Sequence, residues 1–307
     1  MIKKALLYIW NLAWDFFYFI KNRIHISKDY IISKIYNPPI VKSIEDTLNF
    51  IIKNKCSVSR YGDGEIKFVI GKESWFQNNT PLLKDKISWI LKNEIPNHIV
   101  CIQDIFSNLS MYTEVEKKFW INHLAYYRLN WYRNLNKKRI YYNTSISRCY
   151  LCQADKSMVP YYFSLWRKIW EKKDIIIIEG EKTRLGIGND LFNNVKSIKR
   201  ILGPNTNAFN YYGNYIEECK KQDKNHLILI ALGPTATILA AELAILGYQA
   251  IDIGHIDIEY EWYLRKVDHK IPIPNKFINE AGKGIGVKQT IDNPQYEKEI
   301  IWHYSQL

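Results

Sequence analysis

The segment RYGDGE, residues 60–65, places two carboxylates between and beside two glycines. In an extended backbone, residues i and i+2 project to the same side, so Asp63 and Glu65 would both reach one ion. Carboxylate oxygens are the ligands that Mg²⁺ and Mn²⁺ prefer, with water and substrate phosphate completing the shell. Gly62 and Gly64 allow a ligand to approach the backbone closely. The pattern indicates a divalent-metal site facing a phosphate; a plain turn is the alternative.

A second group of reactive side chains lies in the segment GHIDIEYEW, residues 254–262. His255, Asp257 and Glu259 alternate with isoleucines, so they share one face if the segment is extended. A histidine beside a carboxylate can act as a general base or as a metal ligand. A lone histidine is usually structural, but three functional side chains on one face after a strand favour a site.

A glycine-rich loop is expected within IIIIEGEKTRLGIGNDLF, residues 175–192. The isoleucines predict a buried strand, and we expect a helix to begin near Asn189 and Asp190. A loop followed by a helix start directs backbone N–H groups at a phosphate, and Arg184 would add positive charge. The third glycine of the dinucleotide fingerprint is missing, which argues against dinucleotide binding and leaves another kind of nucleotide site open.

A similar strand, turn and helix are predicted over residues 227–247, LILIALGPTATILAAELAILG. Proline is favoured in the first turn of a helix, so Gly233 and Pro234 mark its start and Thr235 caps it or lies in its first turn. A well-capped strand–helix unit explains this segment by itself. A phosphate or sugar contact at the helix start is an additional hypothesis.

Short β-branched runs alternate with helical segments along most of the chain. The candidate strands are residues 56–60, 98–103, 139–143, 174–180, 197–202, 226–232 and 248–254. Such alternation predicts an α/β fold with a largely parallel central sheet and flanking helices. Ligands of such sheets lie beyond the carboxyl ends of the strands, where the four segments above begin. We expect two units: an N-terminal helical appendage at residues 1–40 and a catalytic domain at residues 41–307.

The overall composition narrows the class of partner. The 307 residues carry a formal net charge of +12, which is typical of proteins that meet anionic ligands or surfaces. No zinc-finger spacing, RRM signature or dense basic block is present, so nucleic acid is not an expected partner. Cys149 and Cys152 have CxxC spacing but no second pair, and five cysteines do not form a disulfide framework. A reducing cytoplasm is the expected location.

The N-terminal segment ALLYIWNLAWDFFYFI, residues 5–20, is apolar and strongly aromatic, with lysines or arginine on both sides. It is shorter than the roughly 20 apolar residues of a spanning helix, and Asn11 and Asp15 interrupt it. It also lacks the cleavage site of a signal peptide. Two interpretations stay open: an interfacial helix making a peripheral contact with the inner face of a membrane, or a helix packed on the domain or on a second subunit.

Taken together, RYGDGE, EGEKTRLGIGNDLF, the stretch ALGPTATILAAELAILGYQAIDIGHIDIEYEW and the pair Asn279–Glu280 resemble the bacterial glycosyltransferases of the GT-D fold. That family, formerly a domain of unknown function, is linked to glycosylation of serine-rich adhesins and to surface polysaccharides. The resemblance spans residues 45 to 282. It implies a Rossmann-like sheet and metal-dependent transfer of a hexose from a UDP-sugar to a glycoprotein or polysaccharide acceptor.

The resemblance also implies roles for individual residues. Asp63 and Glu65 match the family's DxE metal motif for Mn²⁺ or Mg²⁺, and His255, Asp257 or Glu259 would take the acceptor proton, with the two carboxylates favoured. The expected donor-binding residues are Arg60, Tyr61, Gly62, Gly64, Arg184, Gly186, Gly188, Asn189, Gly233, Pro234 and Thr235. Two rival functions are a metal-dependent phosphohydrolase or nucleotidyltransferase, and a non-catalytic glycan- or membrane-binding protein.

Overall fold

The computed structural model describes the backbone of residues 2–306 and the side chains of Trp10 and residues 14–306. One sheet runs through it, with strands β1 (Ser57–Arg60), β2 (His98–Ile102), β3 (Tyr142–Asn143), β4 (Asp174–Gly180), β5 (Ser197–Gly203), β6 (Leu227–Ala231), β7 (Gln249–Asp252) and β8 (Ile300–His303). Their order across the sheet is β3-β2-β1-β7-β6-β4-β5-β8, and every neighbouring pair is parallel.

Helices connect the strands and cover both faces of the sheet. They are α1 (Ile2–Ile35), α2 (Ile44–Asn54), α3 (Asp63–Val69), α4 (Pro81–Lys92), α5 (Glu114–Asn134), α6 (Val159–Trp170), α7 (Tyr212–Lys220), α8 (Pro234–Ile245), α9 (Ile256–Leu264) and α10 (Pro294–Glu299). Helices α2, α6 and α9 share one buried core, and α3, α4, α5, α7 and α8 lie over the opposite face.

The run of isoleucines in β4 reflects a strand that is covered on both faces of the sheet. Ile175 and Ile177 face the core beneath α6 and α9, while Ile176 and Ile178 face the core beneath α8. A strand covered on both faces has no polar side, so its sequence is continuously apolar instead of alternating. The predicted α/β fold with a largely parallel sheet is confirmed.

Local sequence signals also place several helix ends correctly. The hydroxyl of Ser43 accepts a hydrogen bond from the Asp46 N–H at 2.9 Å and caps α2, as its position predicts. Pro234 occupies the first position of α8, where its missing N–H leaves no hydrogen bond unmade. The start of α8 matters because this helix begins at the carboxyl edge of the sheet, as α3 and α9 also do.

Two sequence expectations differ from the structure. The helix expected near Asn189 and Asp190 is absent, because residues 181–195 form successive turns. Arg184, Gly186 and Gly188 there have φ values of 55°, 77° and 84°, a left-handed conformation that ends a right-handed helix. The C-terminal strand β8 was not predicted; it pairs with β5 at the sheet edge.

Helix α1 lies outside the sheet, and its second half packs along α5. The division into an appendage at residues 1–40 and a domain at residues 41–307 stays a prediction. Among residues 2–306, none of the helices combines the length and apolar character needed to cross a bilayer.

Candidate active site

A cavity of about 600 Å³ lies over the carboxyl edge of the sheet. Seven strands contribute to its lining at or just beyond their ends, through Arg60, Gln103, Thr144, Gly180, Asn205, Gly233 and Gly254. This is where ligands of parallel α/β sheets bind. The segment that follows α9, residues 270–299, is called the C-terminal segment. It supplies a further wall through Lys270, Phe277, Ile278, Asn279 and Glu280.

Asp63 and Glu65 both line this cavity, but through a helix and not through an extended segment. They occupy the first turn of α3, where positions i and i+2 diverge by about 200° around the axis. Glu65 folds back, and its Oε2 accepts a hydrogen bond from the Gly62 N–H at 2.8 Å. That bond holds the Glu65 carboxylate at the start of the helix. The two carboxylates therefore share the cavity despite the helical backbone.

The surroundings of these two carboxylates differ. Asp63 is partly exposed and pairs with Lys67 at 2.8 Å, whereas burial raises the pKa of Glu65, opposed by the Gly62 N–H. No cluster of three or more metal-binding side chains occurs in the described part of the chain. Two hard carboxylates in one cavity nevertheless fit Mg²⁺ or Mn²⁺, which often take only one or two protein carboxylates beside water and phosphate.

Arg60 fixes the geometry where β1 and β7 end side by side. Its Nη2 lies 2.7 Å from Asp252 Oδ1, its Nε donates to the Asp252 carbonyl at 2.8 Å, and its Nη1 donates to Ser147 Oγ at 2.6 Å. A Cβ at Gly254 would lie 1.8 Å from Arg60 Nη2, so any other residue there would displace the guanidinium from these partners. Arg60 lines the cavity with its charge already paired, which makes it chiefly an anchor for the cavity floor.

Four ionisable side chains form a cluster on the cavity wall. Glu280 pairs with Arg148, with Lys270 at 2.6 Å and with His255 at 3.4 Å. Burial would raise the pKa of Glu280, but the positive charges of Arg148 and Lys270 hold it well below its usual range. Burial, reinforced by Arg148, lowers the pKa of His255 to about 3. At neutral pH the cluster therefore contains a neutral imidazole beside an ionised carboxylate.

Asp257 and Glu259 do not reach the cavity. Both lie in α9, not in an extended segment, and both are fully buried. Asp257 pairs with Lys276 at 2.6 Å and accepts the Gly186 N–H at 2.8 Å, while Glu259 accepts two backbone N–H groups at 3.0 Å. His255 precedes the first turn of α9 and lines the cavity, whereas Asp257 and Glu259 lie within the helix, on nearly opposite sides of its axis, and both are enclosed by neighbouring elements. Their placement does not support either one as the base.

Some of the expected donor-binding residues line the cavity and others do not. Arg60, Gly62, Gly64 and Gly233 line the cavity. Those outside its lining are Tyr61, Arg184, Gly186, Gly188, Asn189, Pro234 and Thr235. Tyr61 is buried and donates to the Ile87 carbonyl at 2.7 Å, and Arg184 donates to the carbonyls of Asn275 and Lys288, both at 2.7 Å. The loop at residues 184–189 therefore supports the C-terminal segment, and of these six residues Leu185 alone lines the cavity.

Sequence reasoning missed several cavity residues. Gln103, Thr144 and Asn205 follow β2, β3 and β5, so the rule that ligands lie beyond strand ends would have found them. Arg148 and Lys270 come from irregular segments with no local signal. Trp75, an exposed aromatic side chain at the cavity, sits in a turn closed by a Ser74–Gln77 bridge, and nothing in its neighbourhood marks it.

The chain resembles known glycosyltransferases over most of its length. It is 34% identical over 267 residues to "Probable glycosyl transferase Gly" of Streptococcus gordonii, covering 87% of this chain and 39% of that protein. It is 35% identical over 265 residues to "Glycosyltransferase GlyD" of Streptococcus pneumoniae serotype 4, covering 85% of this chain and 32% of that protein. The chain thus spans 32–39% of the length of these relatives.

Solved structures agree with the sequence comparison. One, described as "The highly conserved domain of unknown function 1792 has a distinct glycosyltransferase fold", superposes with a TM-score of 0.85 at 36% identity, covering 90% of this chain and 99% of that one. Another, "A New Glycosyltransferase (DUF1792) from Streptococcus sanguinis", gives 0.81 at 35% identity, covering 87% and 99%. A family model described as "Glycosyltransferase GT-D fold" matches residues 58–281, and the chain belongs to that family of glycosyltransferases.

Proposed function

We propose that this chain transfers a hexose from a UDP-sugar to a hydroxyl group of a glycan acceptor, in a reaction that needs Mn²⁺ or Mg²⁺. The observation that carries the proposal is one cavity of about 600 Å³ that contains both carboxylates of the DxE motif and the neutral His255 beside Glu280. Its volume is within the range of small-molecule sites. Membership in the glycosyltransferase family supports the reaction class.

The residues at the start of α3 form the side of the cavity that we assign to the metal ion and the diphosphate. Asp63 and Glu65 would hold the divalent cation, which supplies a Lewis acid that offsets the charge of the leaving diphosphate. Lys67 lies one helical turn from Asp63 and also lines the cavity, so its ammonium group adds positive charge there. Gly62 and Gly64 leave the backbone at this edge open to the phosphates, and a Cβ at Gly64 would meet nothing within 4 Å.

His255 is the group we assign to receive the proton of the acceptor hydroxyl. Burial lowers the pKa of His255, so the imidazole is unprotonated at neutral pH and a ring nitrogen can accept a hydrogen bond from that hydroxyl. Glu280, ionised and 3.4 Å from Nε2, would stabilise the imidazolium that forms. Trp75 and Phe119, both exposed and both lining the cavity, offer apolar ring faces to an acceptor sugar.

A donor screen tests the proposal. The purified chain is incubated with a panel of UDP-sugars, Mn²⁺ and a soluble glycan acceptor, and release of UDP is measured with and without acceptor. We expect one UDP-hexose to release UDP slowly alone and faster with acceptor, and a chelator to stop the release. Turnover of no UDP-sugar, or release of inorganic phosphate instead of UDP, would contradict the proposal.

A further inference from the structure

Helix α1 changes character along its length. From Asn22 to Ser33 its half-buried residues recur every three or four positions, at 22, 25, 26, 29, 32 and 33. That spacing marks one stripe of a helix packed against a neighbour. All seven residues of 14–20 are instead exposed, so this part of the helix has no buried stripe.

The second half of α1 is firmly attached to α5. Asp29 forms a two-point ion pair with Arg128, at 2.7 and 3.0 Å, and both side chains are largely buried. Asn22 donates to Asn122 at 2.9 Å, and the ring of His25 lies 4.4 Å from that of Tyr126. These contacts fix the direction of α1, so residues 10–20 extend from a rigid base.

The extending part presents an unusual set of side chains to solvent. Six large aromatic residues there are between 41 and 65% exposed: Trp10, Trp14, Phe16, Phe17, Tyr18 and Phe19. They point in all directions around the axis, since 16–19 are consecutive and successive residues turn by about 100°. Soluble proteins rarely expose a contiguous apolar patch of this kind without a binding role.

Positive charge follows the aromatic residues directly. Lys21, Arg23 and Lys28 are the next basic positions, and Arg23 lies 5.2 Å from the centre of the Phe19 ring. The whole chain carries a net charge of +12. Aromatic residues bordered by Lys and Arg are typical of segments that lie at the headgroup level of an anionic bilayer.

We propose that residues 10–20 of α1 dock the protein on an anionic lipid surface, with the aromatic side chains in the interfacial layer and Lys21 and Arg23 at the phosphates. A second copy of the chain would cover one stripe and leave the other aromatic side chains in water, whereas the interfacial layer of a bilayer can receive aromatic side chains from several faces of the helix. None of the helices of residues 2–306 can span a bilayer, so the contact is peripheral. This proposal is independent of the proposed activity.

The test is vesicle flotation of the full chain with phosphatidylcholine vesicles and with vesicles containing phosphatidylglycerol. The test variant is Phe16→Gln/Phe17→Gln/Phe19→Gln, in which glutamine keeps a good helix propensity. The matched control is Leu82→Gln/Trp89→Gln/Ile245→Gln, which removes three equally exposed apolar side chains from α4 and α8. Circular dichroism verifies that both variants are folded.

We expect the wild type to float with anionic vesicles, the helix variant to lose about tenfold or more in partitioning, and the control to stay within about twofold. Higher salt should weaken binding, because it screens the basic residues. Absence of wild-type binding, an equal loss in the control, or a helix variant that still floats but changes from dimer to monomer in solution would overturn the proposal.

Discussion

In the pair Asp63 and Glu65, a single hydrogen bond sets the position of one of the two carboxylates. The helical backbone of α3 separates their Cβ atoms, and the bond from the Gly62 N–H to Glu65 Oε2 brings the second carboxylate back to the helix start. In their present positions both carboxylates border the same cavity. The metal-binding role assigned to them can be tested apart from the fold.

Exchanging Asp63→Asn or Glu65→Gln should lower metal-dependent turnover by about 100-fold or more, because each removes a charged ligand of the proposed cation. In Glu65→Gln the new amide oxygen can still accept the Gly62 N–H, so the fold should persist. Calorimetric titration with Mn²⁺ gives a second measurement, in which binding should weaken.

The control for these exchanges is Asp85→Asn, which neutralises an exposed carboxylate of α4 outside the cavity. It should leave both turnover and Mn²⁺ binding unchanged. Full activity and unchanged Mn²⁺ affinity in both cavity variants would remove the metal assignment.

The C-terminal segment is an element held in place by buried ion pairs. Lys276 Nζ lies 2.6 Å from Asp257 Oδ2 and 3.2 Å from Glu261 Oε1, which ties the segment to α9. Arg200 of β5 similarly pairs with Glu299 at 2.7 Å and holds the end of α10. Residues 277–280, between these two attachments, form a wall of the cavity.

Lys276→Met should destabilise the protein by roughly 3–5 kcal/mol, because it leaves Asp257 buried without its counter-charge. The matched control is Lys196→Met, which removes an equivalent Lys–Asp pair at the surface. The Lys276 and Asp257 side chains are 4% and 0% exposed, against 68% and 34% for Lys196 and Asp174. The control should cost less than about 1 kcal/mol.

Urea unfolding of both variants measures these free energies. Equal losses in the two variants would show that the buried pair has no special part in attaching the C-terminal segment.

For the protein as a whole, a buried histidine connects elements from distant parts of the chain and makes stability depend on pH. His98 begins β2, its Nε2 lies 2.7 Å from Ser59 Oγ of β1, and that hydroxyl donates to the Thr237 carbonyl of α8 at 2.6 Å. Burial, with a smaller effect of Arg139, lowers the pKa of His98 to about 3. Unfolding would release it to water, where a histidine has a pKa of about 6.5.

Between those two pKa values the unfolded chain binds a proton that the folded chain does not, so acid favours unfolding. This stabilisation is complete above the unfolded pKa and is lost as the pH falls toward 3. From about pH 7.5 to about pH 5 the wild type should lose about 2 kcal/mol more than His98→Gln. Urea unfolding at both pH values measures the difference.

His269→Gln provides the control, since its side chain is exposed. That exchange should leave the pH dependence of the wild type unchanged. If His98→Gln loses stability with acid as steeply as the wild type does, the buried neutral histidine is not responsible.

Local sequence patterns were enough to predict the class of the fold and the edge at which the site lies. Continuous apolar runs such as β4 indicate strands buried on both faces, and a parallel sheet brings all their carboxyl ends to one edge. Gly62, Gly64 and the DxE carboxylates follow β1 directly, so their position in the chain was sufficient to place them at the cavity.

The choice of side chains that open into that cavity depends on tertiary packing. Asp257 and Glu259 are as polar as His255 in the sequence, yet packing of α9 turns them into the core. Glu280 and Lys270 reach the wall because the buried Lys276–Asp257 pair ties their segment to α9. Strand periodicity is a local property, whereas the direction of a helix face depends on every element packed against it, and no single segment encodes that.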